Sequence, residues 1–329
     1  MTKNIDFKKF YEKEVAKLEK KFSKIFEKKY PGSLYEPCNY VMHGGGKRLR
    51  PFLVLISNYA VANGNINSYN AAIAVELLHN FTLVHDDIMD NSNKRRGNPT
   101  LHVKYDLSTA ILAGDSLLAI AYDFLLKDCN GNAKKILSSF NQGLVEVCEG
   151  QSLDKDFEVL KKVTLDQYLE MINKKTAELA KMCCSLGALI GQGAQQEISA
   201  LASYGKNLGL AFQLQDDLLD VIADEQEFGK PVGSDLIEGK KTYLFLKALE
   251  LAKGEDKKAL LKISENKGIR KNQVNRYRNI YYDLGIIDIT KKEVDKYTKS
   301  ALRSLNKLDN LFAQDTLKWL ANSLLNRSK

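Results

Sequence analysis

Apolar residues recur at i, i+3, i+4 and i+7 through segments 71–90, 101–127, 133–150, 164–191, 196–224 and 240–253, while strand-like alternation bounded by turns is nearly absent. This periodicity predicts about ten helices, some of them apolar almost all round and therefore central. The five prolines stand at Pro31, Pro37, Pro51, Pro99 and Pro231, which leaves long stretches rich in Ala, Leu, Glu, Lys and Gln. Proline inside a helix removes a hydrogen bond and clashes with the preceding turn, so this distribution agrees with an all-α chain. Breaks are predicted at Gly44-Gly45-Gly46, Asn63-Gly64-Asn65, Lys94 to Pro99, Asn130-Gly131-Asn132 and Phe228 to Gly233, with a lysine-rich loop near 254–272. Residues 1–29 alternate Lys and Glu with apolar positions at helical spacing and read as a surface helix of a cytoplasmic protein rather than a secretory signal.

Composition narrows the picture only a little. At 329 residues the chain is long for one domain, but a helical fold reaches this size around one core, so a single domain over 1–329 is expected. No run of eighteen or more consecutive apolar residues is present, so no transmembrane segment is predicted. Five cysteines without a CxxC pair argue against disulfides and zinc. The net charge of +8 suits an anionic partner: nucleic acid, an acidic membrane or a phosphorylated small molecule.

Candidate chemistry begins with two aspartate clusters, Asp86-Asp87-Ile88-Met89-Asp90 and Asp216-Asp217-Leu218-Leu219-Asp220. Positions i and i+4 share one helical face, and like charges about 5 Å apart repel by about 3 kcal/mol at an effective dielectric near 20. Three carboxylates per helix therefore need cations or an exposed face. Both clusters follow apolar sequence, FTLVH and LAFQLQ, and each precedes a basic Gly-Pro loop, RRGNPT and FGKPVG, as if one device were used twice. Oxygen-only donors in this number suit Mg²⁺, a hard cation held by one or two carboxylates plus substrate phosphates.

Other segments carry cations. Gly44-Gly45-Gly46-Lys47-Arg48-Leu49-Arg50-Pro51 places glycines, which let backbone N–H groups approach a phosphate, before residues that fork onto its oxygens. A turn followed by solvated charge fits the same residues. Arg95 and Arg96 follow the first cluster closely enough to reach a diphosphate held there, and adjacent side chains diverge toward different phosphates. His79 lies two turns before Asp86 on the same face, where it is either a packed core residue or a ligand. Lys174, Lys175 and Thr176 sit at a local break in a helix, and Gln213 shares the face of the second cluster.

Taken together these motifs resemble the trans-type isoprenyl diphosphate synthases, the polyprenyl synthetase family of farnesyl and geranylgeranyl diphosphate synthases. The likeness runs from about residue 39 to about 250 and more faintly to the C-terminus. It implies a single large helical bundle of the isoprenoid synthase type around a deep central cavity. It implies three Mg²⁺ ions held by Asp86, Asp87, Asp90, Asp216, Asp217 and Asp220. By the same resemblance Lys47, Arg50, His79 and Arg96 bind isopentenyl diphosphate, and Arg95, Lys175, Thr176, Gln213, Lys230 and Lys240 bind the allylic diphosphate. Asp86, Asp87, Asp90, Lys175, Thr176, Gln213 and Asp216 are then the catalytic set. Arg48 is structural, Asp154 supports Lys175, and Arg327 and Lys329 resemble a basic tail that closes over the homoallylic site. A homodimer is implied.

The implied activity is condensation of isopentenyl diphosphate with dimethylallyl, geranyl or farnesyl diphosphate. Phe81, with small Thr82 and with Leu78 nearby, resembles the archaeal-type geranylgeranyl synthases, with a farnesyl synthase as the alternative. Rival readings are weaker. Glu76-Leu77-Leu78-His79 has the Glu-x-x-His spacing of di-iron bundles, but those need two copies. A terpene cyclase would lack Lys47 and Arg50 and would replace the second cluster. A non-catalytic regulatory subunit would have lost a cluster or its basic partners. A nucleic-acid binder would interleave aromatics among its basic residues.

Overall fold

The structure, a computed structural model, describes residues 6–129, 131–223 and 233–325. Sixteen α-helices occur among these residues. The excess over about ten comes from short helices and from patterns that break: 101–127 divides into Leu101–Lys104 and Leu107–Leu126, and the expected loop at 254–272 is largely helical. Glu255 and Asp256 in the first turn of Gly254–Glu265, with Ala259, Leu260 and Ile263 buried along one side, explain that helix. The chain divides into two compact units, Met1–Leu144 with Met182–Ala202 and Lys307–Leu317, and Val145–Lys181 with Ser203–Asn306 and Lys318–Lys329.

The first unit is built on α4 (Tyr69–Met89), against which α1 (Phe7–Phe22), α2 (Gly32–Met42), α3 (Leu49–Ala62) and α6 (Leu107–Leu126) pack. Every residue of α4 from Ala71 to Phe81 is buried, as its nearly all-round apolar sequence requires. The end of α4 leads into a two-stranded hairpin, β1 (Lys94–Arg95) and β2 (Asn98–Pro99), turning through Arg96 and Gly97 at φ 52° and 80°. Two successive positive φ values make the primed turn whose twist matches a hairpin. α5 (Leu101–Lys104) then stops at Tyr105, and Asp106 caps α6 by accepting from the Thr109 N–H at 2.8 Å.

α1 is the surface helix expected, and its apolar side docks: Leu18 and Phe22 are buried, and the Phe10 ring lies 5.0 Å from Phe312 and 6.1 Å from Phe52. α6 passes a test of length and composition for crossing a membrane, although Asp115 and Asp123 interrupt its apolar run. A third of that stretch is buried within this unit.

The second unit takes part of α7 (Ala133–Val159) and α8 (Leu165–Ile172), which opens on a reciprocal cap between Thr164 and Gln167. α8 passes through a π-helical turn, Asn173–Ala177, into α9 (Glu178–Ile190). α10 (Gln195–Ile222) carries the second aspartate cluster. After α11 (Ser234–Ile237), helix α12 (Tyr243–Leu251) packs on α8, α13 (Gly254–Glu265), α14 (Val274–Asp283) and α15 (Ile286–Ser304). The last helix is α16 (Leu311–Leu325).

The position of α4 depends on a remote cap. Its N-cap residue Ser68 makes no side-chain bond, and the buried carboxylate of Asp128 instead accepts from the Ala71 N–H and the Asn70 amide, both at 2.8 Å. Asp128→Ala leaves a buried N–H without its acceptor and is expected to lower stability by about 1–3 kcal/mol, read as a shift in a urea unfolding curve.

Candidate active site

In the first unit the cationic turn before α3 is held by its own middle residue. Arg48 stands at φ 50°, a left-handed conformation that costs a non-glycine residue about 1–2 kcal/mol. Its buried guanidinium donates to Glu19 and Glu76, each at 2.6 Å, and to the Met42 carbonyl at 2.7 Å, and it lies over the Phe22 ring. Arg48 is therefore structural, while Lys47 is exposed beside it. Two residues on, Arg50 Nη1 lies 3.1 Å from His79 Nε2. Burial, then the charges of Arg50, Arg96, Arg95 and Arg48, hold His79 well below the usual imidazole range, so the ring is neutral. With Nε2 facing a guanidinium, the proton is assigned to Nδ1, which is buried and has no protein partner.

The hairpin supplies the next two cations. Arg96 donates to the Gly45 carbonyl, and a Cβ on Gly46 would lie 2.7 Å from its Nη1, so only glycine lets that guanidinium cross the turn. Arg95 grips Asp87 through Nε at 2.9 Å to both oxygens and Nη2 at 2.8 Å. Asp87 is buried in that pair, whereas Asp86 is half-buried and Asp90 is exposed at the C-cap of α4. A cavity of about 300 Å³ is lined by Gly44, Asn80, Leu83, Asp87, Arg95 and Arg96, among others. Deeper along α4, Leu78 and Phe81 are buried, and Thr82 donates to the His79 carbonyl at 2.8 Å. The Phe81 ring packs edge-on against His85, 4.6 Å between centroids, and His85 in turn fills the space over Gly114.

In the second unit the aspartates divide in a similar way. Asp216 is exposed. Asp217 is buried and accepts from the Tyr168 hydroxyl, from Gln213 Nε2 at 3.1 Å and from the Tyr243 N–H at 3.4 Å. Burial, then the charge of Asp235, pushes its carboxyl up to about 7 against those hydrogen bonds. Asp220 is buried and accepts from the Ser234 hydroxyl and the Asp235 N–H. Lys240 lies 2.8 Å from Glu238 and 3.7 Å from Asp235.

Lys175 and Thr176 stand on the π-helical turn, a distortion that places both side chains out of the ordinary helical register. Lys175 Nζ meets Asp154 at 2.6 Å, the pairing expected from the sequence, and the Thr176 hydroxyl donates to Gln213 Oε1 at 3.0 Å. Lys174 turns away to Glu146 and Glu149. Glycines on two helices make room for the turn. A Cβ on Gly150 of α7 would lie 2.3 Å from the Lys175 nitrogen, and one on Gly209 of α10 would lie 2.6 Å from Ala177 Cα. Gly150, Gly209, Tyr168, Ser234 and Glu76 were not legible as parts of the site; an isolated glycine inside a helical pattern was the available signal for the first two. Lys230, Arg327 and Lys329 lie outside the described residues.

Comparison with known proteins decides what this arrangement belongs to. A family model described as polyprenyl synthetase matches residues 31–281. The chain belongs to the polyprenyl synthetase family. It is 41% identical over 302 residues to a geranylgeranyl diphosphate synthase of Sulfolobus acidocaldarius, covering 90% of this chain and 91% of that one. A crystal structure of geranylgeranyl pyrophosphate synthetase from Pyrococcus horikoshii superposes with a TM-score of 0.90 at 37% identity, covering 98% and 99%. A decaprenyl diphosphate synthase from Rhodobacter capsulatus reaches 0.89 at 28% identity, covering 98% of each. This polyprenyl synthetase is accordingly an all-α trans-prenyltransferase, and its family implies a divalent metal for diphosphate binding. Each unit offers hard oxygen that fits such an ion, Asp86 and Asp90 in the first and Asp216 in the second, and among the described residues no three His, Cys, Asp or Glu side chains converge to hold a metal by themselves. Diphosphate oxygens and water would complete the shell of an ion at such carboxylates, the habit of Mg²⁺.

The π-helical turn makes the synthetase sensitive to one methyl group. Gly150→Ala drives a Cβ into the Lys175 backbone, and a displacement near 1 Å at Lys175 and Thr176 is expected to lower kcat about a hundredfold. Steady-state kinetics alongside a circular dichroism melt check this, with most of the helix content retained.

Proposed function

We propose that this chain condenses isopentenyl diphosphate with dimethylallyl, geranyl and farnesyl diphosphate to give geranylgeranyl diphosphate as its main product. The observation that carries this reading is the neutral His79 with its unpartnered Nδ1 donor, paired to Arg50 on the helix that bears the first aspartate cluster. That pair forms a second, metal-independent anion site, which a cyclase of one allylic diphosphate does not need.

In the reading we adopt, Lys47, Arg50, His79 and Arg96 hold isopentenyl diphosphate. Arg95, Lys175, Lys230 and Lys240 draw charge onto the allylic diphosphate, with Thr176 and Gln213 orienting it. Asp86, Asp90 and Asp216 would hold Mg²⁺, three ions by the family's habit, with Asp87, Asp217 and Asp220 supporting them, and the bound metal would supply positive charge for the leaving diphosphate. The allylic C–O bond breaks with both electrons going to the departing pyrophosphate. The double bond of isopentenyl diphosphate attacks the resulting cation, and the proton then lost passes to pyrophosphate, so no side-chain base is required. The carboxylate and cation pairs contribute fixed charge where charge develops, and the apolar wall of α4 excludes water from the cation.

The exposed side of α6 supports a homodimer. Leu107, Ile111 and Leu112 are exposed at i, i+4 and i+5, an apolar stripe suited to a second copy of this chain rather than to water. A dimer of this kind, free of the membrane, would act in the cytoplasm.

Labelled isopentenyl diphosphate incubated with each allylic starter, followed by chromatography of the dephosphorylated products, tests the reading. Twenty-carbon alcohol is expected, and Asp86→Ala and Asp216→Ala are each expected to lower turnover by at least about a hundredfold with the helical fold intact. Full turnover in both variants would remove the proposal. Product length has a separate check. Phe81→Ala shortens the ring that faces His85 and is expected to move the distribution beyond twenty carbons in the same assay, whereas a ring that only packs would cost about 3–5 kcal/mol of stability and leave the products unchanged.

A further inference from the structure

The turn that presents Lys47 and Arg50 is not held by its own sequence. Arg48, between them, is a buried cation in a left-handed conformation, and the groups that satisfy it come from three other segments: Glu19 of α1, Glu76 of α4 and the Met42 carbonyl at the end of α2. α1 reaches the turn a second time, where the Tyr11 hydroxyl donates to the Lys47 carbonyl. Glu76 lies one helical turn before His79 and also faces the Asn80 amide, so the Arg48 fork links the turn to the helix that carries the histidine. Glu76 is almost wholly buried, and an unpaired carboxylate there is strongly unfavourable, so the two-pronged ion pair fixes Arg48 in one geometry.

We infer that Glu19 and Tyr11 of α1 are positioning residues for the isopentenyl diphosphate site, acting through Arg48 and the Lys47 carbonyl without touching substrate. The inference rests on the assignment of Lys47, Arg50 and His79 to that substrate. Its physical content is that the turn is preorganised from outside. Loosening Glu19 lets Arg48 relax toward ordinary backbone angles, and the Lys47 and Arg50 side chains on either side then lose their fixed spacing relative to His79. The allylic groups Lys175, Thr176 and Gln213 belong to a separate set of helices and have no part in this cluster.

The test uses the full chain and measures kcat and both KM values for Glu19→Ala, Glu19→Gln, Tyr11→Phe, Arg50→Ala and the Glu19→Ala/Arg50→Ala double variant, with a thermal melt of each. Glu19→Ala is expected to raise KM for isopentenyl diphosphate about tenfold while KM for the allylic substrate stays within about twofold. Glu19→Gln, which keeps an acceptor for Arg48, should recover most of that loss, and Tyr11→Phe should raise the same KM by a smaller factor. In the Arg50→Ala background, Glu19→Ala should add less than about twofold, because the group it positions is gone. The inference is overturned if Glu19→Ala raises both KM values equally, if it lowers the melting temperature with neither KM changed, or if its effect multiplies fully with Arg50→Ala. Arg50→Ala alone separates the two levels: a raised KM for isopentenyl diphosphate there with none from Glu19→Ala removes only the positioning role, whereas no change from Arg50→Ala removes the site assignment as well.

Discussion

A charge taken out of water must be met by an opposite charge or by several hydrogen bonds, and that constraint shapes both halves of this protein's chemistry. Three cations show the pairing. Arg95 lies against Asp87, Arg48 between Glu19 and Glu76, and Lys175 on Asp154. The partners divide the aspartates into two kinds. Asp87, Asp217 and Asp220 are buried against protein donors, while Asp86, Asp90 and Asp216 stand at more exposed positions. A three-aspartate motif thus combines two kinds of carboxylate, since one tied to Tyr168 or Arg95 helps fix the helix rotation of its more exposed neighbours.

Close backbone approach is the second requirement. Lysine and threonine leave the helical register at the π-helical turn only because α7 and α10 present glycine there, and Gly187 of α9 likewise stands where a Cβ would lie 2.2 Å from the Val54 carbonyl of α3. These contacts explain why glycines persist inside helices whose propensity they weaken. The loss in local helix stability is offset by positioning that no larger residue permits.

How far the sequence revealed this depends on the range of each interaction. Helices 69–89, 165–190 and 195–222 were legible because their periodicity is local. Both aspartate clusters were legible because i, i+1 and i+4 are fixed by helix geometry alone. The hairpin at 94–99 was read only as a break, since its turn depends on Arg96 adopting positive φ beside Gly97. The docked face of α1 was missed for another reason: Phe10 finds Phe312 some three hundred residues away, and the Lys-Glu rhythm of the exposed face masks it. The pairing of Arg48 was invisible on the same grounds, because Glu19 and Glu76 lie 29 and 28 residues from it.

Product length belongs to a finer level than any of these. The same backbone serves a solved protein named for a decaprenyl product and others named for geranylgeranyl, so the helices themselves do not set where a growing chain stops. What remains is the side-chain wall along α4. There Leu78 is wholly buried and fixed by packing, Thr82 is small and turned back to the His79 carbonyl, and Phe81 is the one large ring of the three. His85 braces that ring, and the imidazole has room to do so because α6 carries Gly114 opposite it. These three residues form a stack from two helices, Phe81 on His85 on Gly114. A methyl group at Gly114 would displace the imidazole, and a smaller residue at 81 would leave the imidazole unsupported. If Phe81 limits the product as proposed, length control would follow from the stack as a unit rather than from the volume of any one side chain.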